Sequence, residues 1–248
     1  FIHVLALFCA LQSQAQNSFN SGDGWGAGWG TGAAMSASAG SSLIYTTTNT
    51  LGGNVARYFR FFGNGTPCGE YQPNNGGLDL QLTVDATYTS ANMQCGSAKA
   101  FFVTVPNTTD NWVFKSAGVS AQQIVVFRVQ GPVRTISSVA QAPVSASVFP
   151  GQAVTVTATM RSTQSTGQNV YLRYSTDNFA TSTVTTMTYT GSSATATIPA
   201  SANTAGATVR YYVFTSGAAN VAANGSNADF YTINLNNNAG SNYSYTVA

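Results

Sequence analysis

Short runs of strand-forming residues, separated by turn residues, recur along almost the whole chain. In the second half the centres of seven such runs lie roughly 10 to 20 residues apart. These runs are 153–159, 169–175, 184–189, 194–198, 208–215, 229–234 and 243–247. The sequence shows no helix of ordinary length, because no stretch keeps the 3.6-residue apolar period of an amphipathic helix. The pattern predicts an all-β protein made of antiparallel β-sandwiches.

The composition fits a folded chain with an uncharged surface. Of the 248 residues, 44% are hydrophobic and only 6% are charged, whereas soluble domains usually have about 25% charged residues. Disordered chains combine low hydrophobicity with high charge, so this chain should fold. The net charge of only +2 argues against a nucleic-acid partner, because nucleic-acid binders need a basic face.

The N-terminal segment has the pattern of a secretory signal peptide. Residues 1–11 are apolar apart from His3, and small residues follow at 13–15. About eleven apolar residues fit the core of a signal peptide, whereas a membrane span needs about twenty. We therefore expect residues 1–15 to be removed, with the mature protein extracellular or on the cell surface and without a membrane span. The alternative interpretation is a buried N-terminal strand.

Removal of that segment would leave two cysteines, Cys68 and Cys95, and no histidine. An even number of cysteines in an oxidising compartment favours a disulfide, which would contribute roughly 3 kcal/mol by the chain-entropy model. Two buried free thiols are the alternative. We predict a Cys68–Cys95 disulfide.

The positions of the runs predict two sandwich domains in tandem. The first domain, 17–130, is expected to be jelly-roll-like, with strand-like runs at 43–47, 56–62, 78–84, 100–105, 111–115 and 124–129. Residues 131–145 show no strong periodicity and are predicted to be a linker, followed by an immunoglobulin-like sandwich over 146–248. Separate domains should have separate cores and unfold independently. The clearest period-two alternation lies in 78–84, which predicts a half-buried antiparallel strand.

The mature sequence lacks the groups of common catalytic centres. Without histidine, it cannot form a Ser-His-Asp triad, a Cys-His dyad or a histidine-based zinc site. A glycosidase needs two carboxyl groups about 5 to 9.5 Å apart. The available carboxylates are Asp23, Glu70, Asp79, Asp85, Asp110, Asp177 and Asp229. Asp79 and Asp85, on one strand face, would lie roughly 20 Å apart, and no sequence argument brings an aspartate to Glu70.

We therefore expect no catalytic residue, metal or cofactor in this chain. The asparagine-rich loop 236–242 offers oxygen atoms of the kind that calcium binds, but a turn is the favoured interpretation because carboxylates are scarce there.

Two tryptophans, Trp25 and Trp29, lie in the glycine-rich segment 22–30. Their side chains have little neighbouring bulk to bury them. Two interpretations stay open: exposed indoles that stack on a sugar ring or a partner surface, or a hydrophobic lid on the sandwich edge.

The second half carries three segments with a recognisable pattern: Asn-Val-Tyr-Leu-Arg-Tyr-Ser-Thr-Asp-Asn-Phe at 169–179, Val-Arg-Tyr-Tyr-Val-Phe at 209–214, and Asn-Asn-Asn-Ala-Gly-Ser-Asn-Tyr at 236–243. Roughly residues 140–247 resemble the β-sandwich modules of secreted Bacteroidota proteins. Such modules often lie beside exoenzymes or ahead of a type IX secretion sorting domain. The same segments are loosely similar to starch-binding modules, whose first strand is followed by a sugar-stacking tryptophan. Phe179 is the nearest equivalent here, so the resemblance implies Tyr174 and Phe179 as ligand residues.

Together these features predict a secreted, non-catalytic binding or adhesion protein whose ligand is a carbohydrate, either a polysaccharide or a cell-surface glycan. The expected ligand residues are Trp25, Trp29, Tyr174 and Phe179. One alternative is the accessory part of a larger extracellular glycoside hydrolase or other exoenzyme. Another is a surface-layer or fibre subunit that self-associates through sheet edges, because low charge leaves those edges with little electrostatic protection.

Overall fold

A computed structural model describes residues 18–22, 24–25, 29, 33–37, 44–62, 69–117 and 123–248. The predicted signal peptide lies outside these ranges. The described chain is almost entirely β, with one four-residue α-helix, α1 (Ala228–Tyr231), and short 3₁₀ turns at Ser90–Asn92, Ser145–Ser147 and Ala200–Ala202. The predicted all-β class is confirmed. Within the described ranges, no helix is long and apolar enough to cross a membrane.

The first half of the chain forms two sheets. Its strands are β1 (Ser18–Ser21), β2 (Ala33–Ala34), β3 (Ser36–Ala37), β4 (Ile44–Leu51), β5 (Ala56–Phe62), β6 (Tyr71–Pro73), β7 (Leu80–Gln81), β8 (Met93–Cys95), β9 (Phe101–Thr104), β10 (Asp110–Ala117) and β11 (Gln123–Val129). One sheet has the order β2-β1-β5-β6-β8, with β9 also on β5 and β7 on β9, and the other has the order β11-β10-β4-β3. The chain crosses between the sheets after β4 and again after β9. These crossings lie side by side, because Val105 N–H donates to the Val55 carbonyl at 2.9 Å.

An aromatic core lies between these two sheets. Phe19, Phe59 and Phe114 meet there, with Phe114 centroids 4.9 Å from each of the other two rings. Trp112 and Phe101 are buried in the same cluster. Aromatic side chains bury about 150–250 Å² each, so this cluster is the main source of hydrophobic stabilisation in the first half.

The prediction of a half-buried antiparallel strand over 78–84 is wrong. Only β7 forms there, and it runs parallel to β9. The Asp79 carboxylate accepts the N–H of Ala100 at 2.8 Å. At this point the backbone N–H of Ala100 therefore bonds to a side chain instead of to the backbone of a neighbouring strand. Leu78 is 65% exposed while Leu82 is buried, which shows that the alternating leucines do not share one buried face.

The second half also forms two sheets. Its strands are β12 (Ile136–Ala142), β13 (Val154–Met160), β14 (Asn169–Ser175), β15 (Thr183–Thr186), β16 (Thr188–Thr190), β17 (Ser193–Ile198), β18 (Thr208–Ser216), β19 (Asn234–Asn236) and β20 (Tyr243–Thr246). The sheet orders are β12-β13-β17-β16 and β15-β14-β18-β19, with β20 also on β18. The two sheets enclose an apolar core between them, as in an antiparallel β-sandwich. The immunoglobulin-like topology stays a prediction.

Three sequence expectations for the second half need correction. The segment 131–145, predicted as a linker, contains β12. The run at 184–189 is divided between β15 and β16, which belong to different sheets. The run at 229–234 is not a strand: its first part belongs to α1, which buries Ala228 and Phe230. Packing against the first half decides this local structure, because both side chains belong to a cluster that spans the two halves.

That shared cluster corrects the expectation of separate cores. Each pair of sheets encloses its own core, but a third cluster joins Val113, Val125 and Phe127 of the first half to Tyr171 and Phe214 of the second. Its apolar contacts connect the β10–β11 face to the β14–β18 face.

The contact between the halves is close and includes a charged side chain. A Cβ atom added at Gly217 would collide with the Phe127 side chain, so only glycine allows the observed approach. Lys115 is fully buried, and its Nζ donates to the carbonyl of Thr232 just after α1. Burial lowers the pKa of Lys115 to about 7, against the opposing effect of the Asp229 charge.

Candidate functional site

Trp25 packs against the core of the first half. Its indole is half-buried and lies 5.5 Å from the Phe19 ring, in an edge-on arrangement, and 6.1 Å from Phe114. The indole Nε1 donates to the carbonyl of Tyr58 at 2.8 Å. The structure therefore places Trp25 as a lid over the core, the second of the two sequence interpretations.

Trp29 lies on a buried charge pair. The guanidinium of Arg60 is 3.8 Å from the centroid of its ring. Arg60 also donates to the Glu70 carboxylate at 2.7 Å, and Asn20 donates to the same oxygen at 3.3 Å. The cation–π contact and the ion pair therefore account for the positions of Trp29, Arg60 and Glu70 as internal packing of the protein. Trp29 remains half-exposed.

Tyr174 and Phe179, the ligand residues implied by resemblance, lie in different surroundings. Tyr174 is a buried member of the second-half core, and its edge lines a shallow pocket rich in serine and threonine. Phe179 packs on Tyr212 with centroids 5.4 Å apart, and the Arg173 guanidinium lies 5.5 Å from its ring. The four predicted residues do not form one surface.

Three of the described carboxylates stabilise the fold through ion pairs or hydrogen bonds. Asp110 pairs with Arg128 at 2.7 Å, and Asp229 pairs with Arg173 at 3.0 Å. Asp177 closes its own turn: hydrogen bonds from Thr181 and Ser175 lower its pKa to about 2. Within the described ranges no group of three histidine, cysteine or acidic side chains is arranged to hold a metal ion. Asp23 lies outside those ranges.

Cys95 is disulfide-bonded. Its predicted partner, Cys68, lies outside the described residues, so the Cys68–Cys95 pairing stays a prediction. The surrounding strands agree with it. Tyr71 pairs directly with Cys95, and Gly96 N–H donates to the Glu70 carbonyl at 3.0 Å.

A cleft of about 620 Å³ lies where the two halves meet. Its volume falls within the roughly 300–1,000 Å³ typical of small-molecule sites, which often lie at such junctions. All the lining side chains are uncharged: Thr46, Thr48, Thr50, Thr109, Asn111, Gly131, Pro132, Val133, Ile233 and Asn234. We call it the inter-sandwich cleft.

Strand β4 supplies one wall of the inter-sandwich cleft. Tyr45 and Leu51 belong to the first-half core, so the alternate residues Thr46, Thr48 and Thr50 point to the other face. β-Branched threonine suits such a strand. The result is a row of hydroxyl groups spaced about 6.8 Å apart.

The opposite wall comes from the connection into the second half and from the segment after α1. Pro132, Val133 and Ile233 give this wall an apolar character. Asn234 is held by its Nδ2, which donates to the carbonyl of Arg134 at 3.0 Å. A ligand in the cleft would therefore meet hydroxyl groups on one side and an apolar surface on the other.

Hydrogen bonds within the protein hold some polar side chains of the inter-sandwich cleft in place and leave other hydroxyl groups available to a ligand. Asn111 accepts from the Thr50 hydroxyl at 3.2 Å and donates from Nδ2 to the Gly131 carbonyl at 2.5 Å. The hydroxyls of Thr46, Thr48 and Thr109 bond to no protein group in the described part of the chain. Each can both donate and accept a hydrogen bond.

Sequence reasoning missed this cleft. The alternating threonines at 46, 48 and 50 were a visible signal, but their role depends on how the second half packs beside β4.

Comparison with known proteins adds no identification, because no protein-family model, curated protein or solved structure matches the chain. The resemblance of residues 140–247 to secreted Bacteroidota modules therefore stays a prediction.

Proposed function

We propose that the protein is a secreted, non-catalytic carbohydrate-binding protein and that the inter-sandwich cleft holds the glycan. The observation that carries this proposal is the row of available threonine hydroxyls facing an apolar wall, in a cleft without a charged side chain. Neutral sugars present hydroxyl groups that donate and accept hydrogen bonds, together with apolar C–H faces. The two walls complement both features.

The chemistry of the cleft also disfavours other ligand classes. An anionic ligand such as a nucleotide needs positive charge, usually from arginine or lysine, and the lining side chains offer none. The secreted location is supported by the signal-like segment 1–15 and by the disulfide at Cys95, because disulfides persist mainly in oxidising compartments.

The test is a titration of the full mature chain with a panel of neutral oligosaccharides, followed by calorimetry and by amide chemical shifts. Thr48→Val removes one hydroxyl while keeping the side-chain shape. Loss of one net hydrogen bond of about 0.5–1.5 kcal/mol should weaken binding roughly 2- to 12-fold. Thr195→Val is the matched control, since Thr195 is an exposed threonine on β17, away from the cleft.

Each outcome decides a separate part of the proposal. A flat response of the wild type across the panel would remove the carbohydrate ligand. Binding that is unchanged by Thr48→Val but lost on Trp29→Ala would move the site to the glycine-rich segment.

A further inference from the structure

The sheet formed by β12, β13, β17 and β16 has an outer face made almost entirely of threonine. The inner residues of these strands pack into the second-half core, so the alternate residues point to solvent. We call these outward residues the threonine face: Ser138, Ala140, Ala142, Thr155, Thr157, Thr159, Thr188, Thr190, Ser193, Thr195 and Thr197. Thr157 and Ser193 are half-buried and the others are exposed. The face therefore carries no charged side chain and no large one.

The residues of the threonine face form rows across the strands. Thr155 lies opposite Thr197, and Thr157 lies opposite Thr195. The second row continues to Thr188 on β16, which also pairs with Thr195. Neighbouring strands lie about 4.8 Å apart and alternate residues of one strand about 6.8 Å apart, so the side chains form a two-dimensional array. Sheet twist rotates adjacent strands by about 20–25°, so the array is most regular on the central pair, β13 and β17.

The hydroxyl groups of these threonines are available to a partner. Within the described ranges, none of them bonds to a protein group. Each hydroxyl can donate one hydrogen bond and accept two, and each methyl group beside it is apolar. Because β-branched side chains are restricted at χ1, the array loses little rotamer freedom when a partner binds.

The chemistry of the threonine face fits a neutral surface with a repeating pattern of hydrogen-bonding groups. A charged partner meets no opposite charge here, and a protein partner would lack the aromatic or arginine anchors of protein interfaces. Sugar rings stack on aromatic side chains, but Tyr189 of β16 packs against the core instead. An ice surface presents water molecules that donate and accept hydrogen bonds at regular intervals, comparable with the spacing of this array.

We propose that the threonine face binds ice. Water molecules bonded to its hydroxyl rows take positions of the ice surface, and the methyl groups fill the spaces between them. The low charge of the protein supports this activity, because only 6% of its residues are charged and charged side chains retain their own hydration shells. This activity goes beyond glycan binding and uses a different surface, since no residue of the threonine face lines the inter-sandwich cleft.

Slow growth of ice in a solution of the full mature chain, mixed with a fluorescent protein that does not bind ice, tests the proposal. We expect the wild type to be enriched in the ice while the reference protein stays in the liquid. Thr195→Lys places a long charged side chain in the middle of the array and should abolish the enrichment. Thr155→Lys, on the neighbouring strand, should do the same. Thermal unfolding of both variants checks that they fold.

Thr83→Lys is the matched control, since it adds the same charge at an exposed threonine of the first half and should keep the enrichment. Wild-type protein that stays in the liquid overturns the proposal. Equal enrichment of the wild type and of both folded array variants also overturns it, as does an equal loss in Thr83→Lys, which would reveal an effect of charge alone.

A second pair of measurements separates ice from other partners. Retention of the wild type on crystalline cellulose or chitin, without enrichment in ice, would assign the threonine face to a polysaccharide and overturn the proposal. Enrichment in ice and titration with soluble oligosaccharides are separate measurements on the same protein. Failure of ice binding and failure of glycan binding therefore remain distinguishable.

Discussion

Lys115 should make the stability of this protein rise with pH above about pH 7. The side chain is fully buried between the two halves, and desolvation lowers its pKa from 10.5 to about 7. Between these two values the unfolded chain holds a proton that the folded chain has released. The unfolding free energy therefore increases with pH in this window.

The size of the effect follows from the pKa difference. Each pH unit inside the window is worth about 1.4 kcal/mol, so between pH 7 and pH 9 stability should rise by roughly 2–3 kcal/mol. Below about pH 7 both states hold the proton, and this contribution no longer changes with pH. The upper limit of pH 9 avoids the tyrosines. In the unfolded chain they ionise at about pH 10, whereas burial raises the pKa of Tyr171 and Tyr212 in the folded protein to about 12, so they affect stability only above pH 9.

The perturbation is Lys115→Met, which keeps the length of the side chain and removes the titrating group. Guanidinium unfolding curves, followed by tryptophan fluorescence at pH 6, 7, 8 and 9, give the unfolding free energy of both proteins. The variant should lack the rise seen in the wild type. Loss of the hydrogen bond to the Thr232 carbonyl adds a constant cost of about 1–3 kcal/mol. This cost lowers the unfolding free energy by the same amount at every pH and leaves its pH dependence unchanged.

Lys99→Met is the matched control, since Lys99 is the other lysine of the chain and lies partly exposed. Its curve should keep the wild-type slope. Parallel pH curves for wild type and Lys115→Met would refute the reasoning, because they would show that Lys115 keeps its proton throughout this range.

Three further predictions concern the fold. Replacing Cys68 and Cys95 together by serine should lower the free energy of unfolding by roughly 2–5 kcal/mol. Because one apolar cluster spans both halves, hydrogen exchange should show this loss in the second half as well. A loss confined to the first half would contradict the coupling between the halves. Gly217→Ala should cost about 1–3 kcal/mol through overpacking against Phe127. Thermal unfolding measures it beside Gly69→Ala, because an added Cβ at Gly69 meets open space and neither glycine has a positive φ. An NMR titration of the Asp177 carboxyl should have its midpoint near pH 2, and Thr181→Val should raise it; an unchanged midpoint would assign the shift to other groups.

The sequence predicts regular strands well where one sheet face is buried along its whole length. In β13 the residues Val154, Val156, Ala158 and Met160 alternate with threonines and are all buried, so the local pattern and the tertiary packing agree. In 78–84 the same kind of alternation fails, because the Asp79 side chain bonds to the backbone of Ala100 and the residues do not share a sheet face.

Other features depend on contacts between distant segments. α1 forms where a strand was predicted, because Ala228 and Phe230 pack into the cluster shared by the two halves. The inter-sandwich cleft depends on the same packing, since Thr46 and Asn234 are far apart in the sequence. Composition and periodicity carry no information on that juxtaposition, so the hydroxyl row could be identified only after the halves were placed together.

The connection between the two halves provides little spare chain length that could extend under mechanical force. Gln130 N–H donates to the Thr166 carbonyl at 2.8 Å, the Ser165 hydroxyl donates to the carbonyl of Pro132 at 2.8 Å, and the Gln168 side chain bonds to both backbone groups of Arg134. A tension applied to the two ends of the chain would load these bonds and the apolar contacts around Phe127 in parallel. The two halves would therefore resist pulling as one unit, and the few connecting residues could add only about 3.3–3.6 Å each once those bonds had broken.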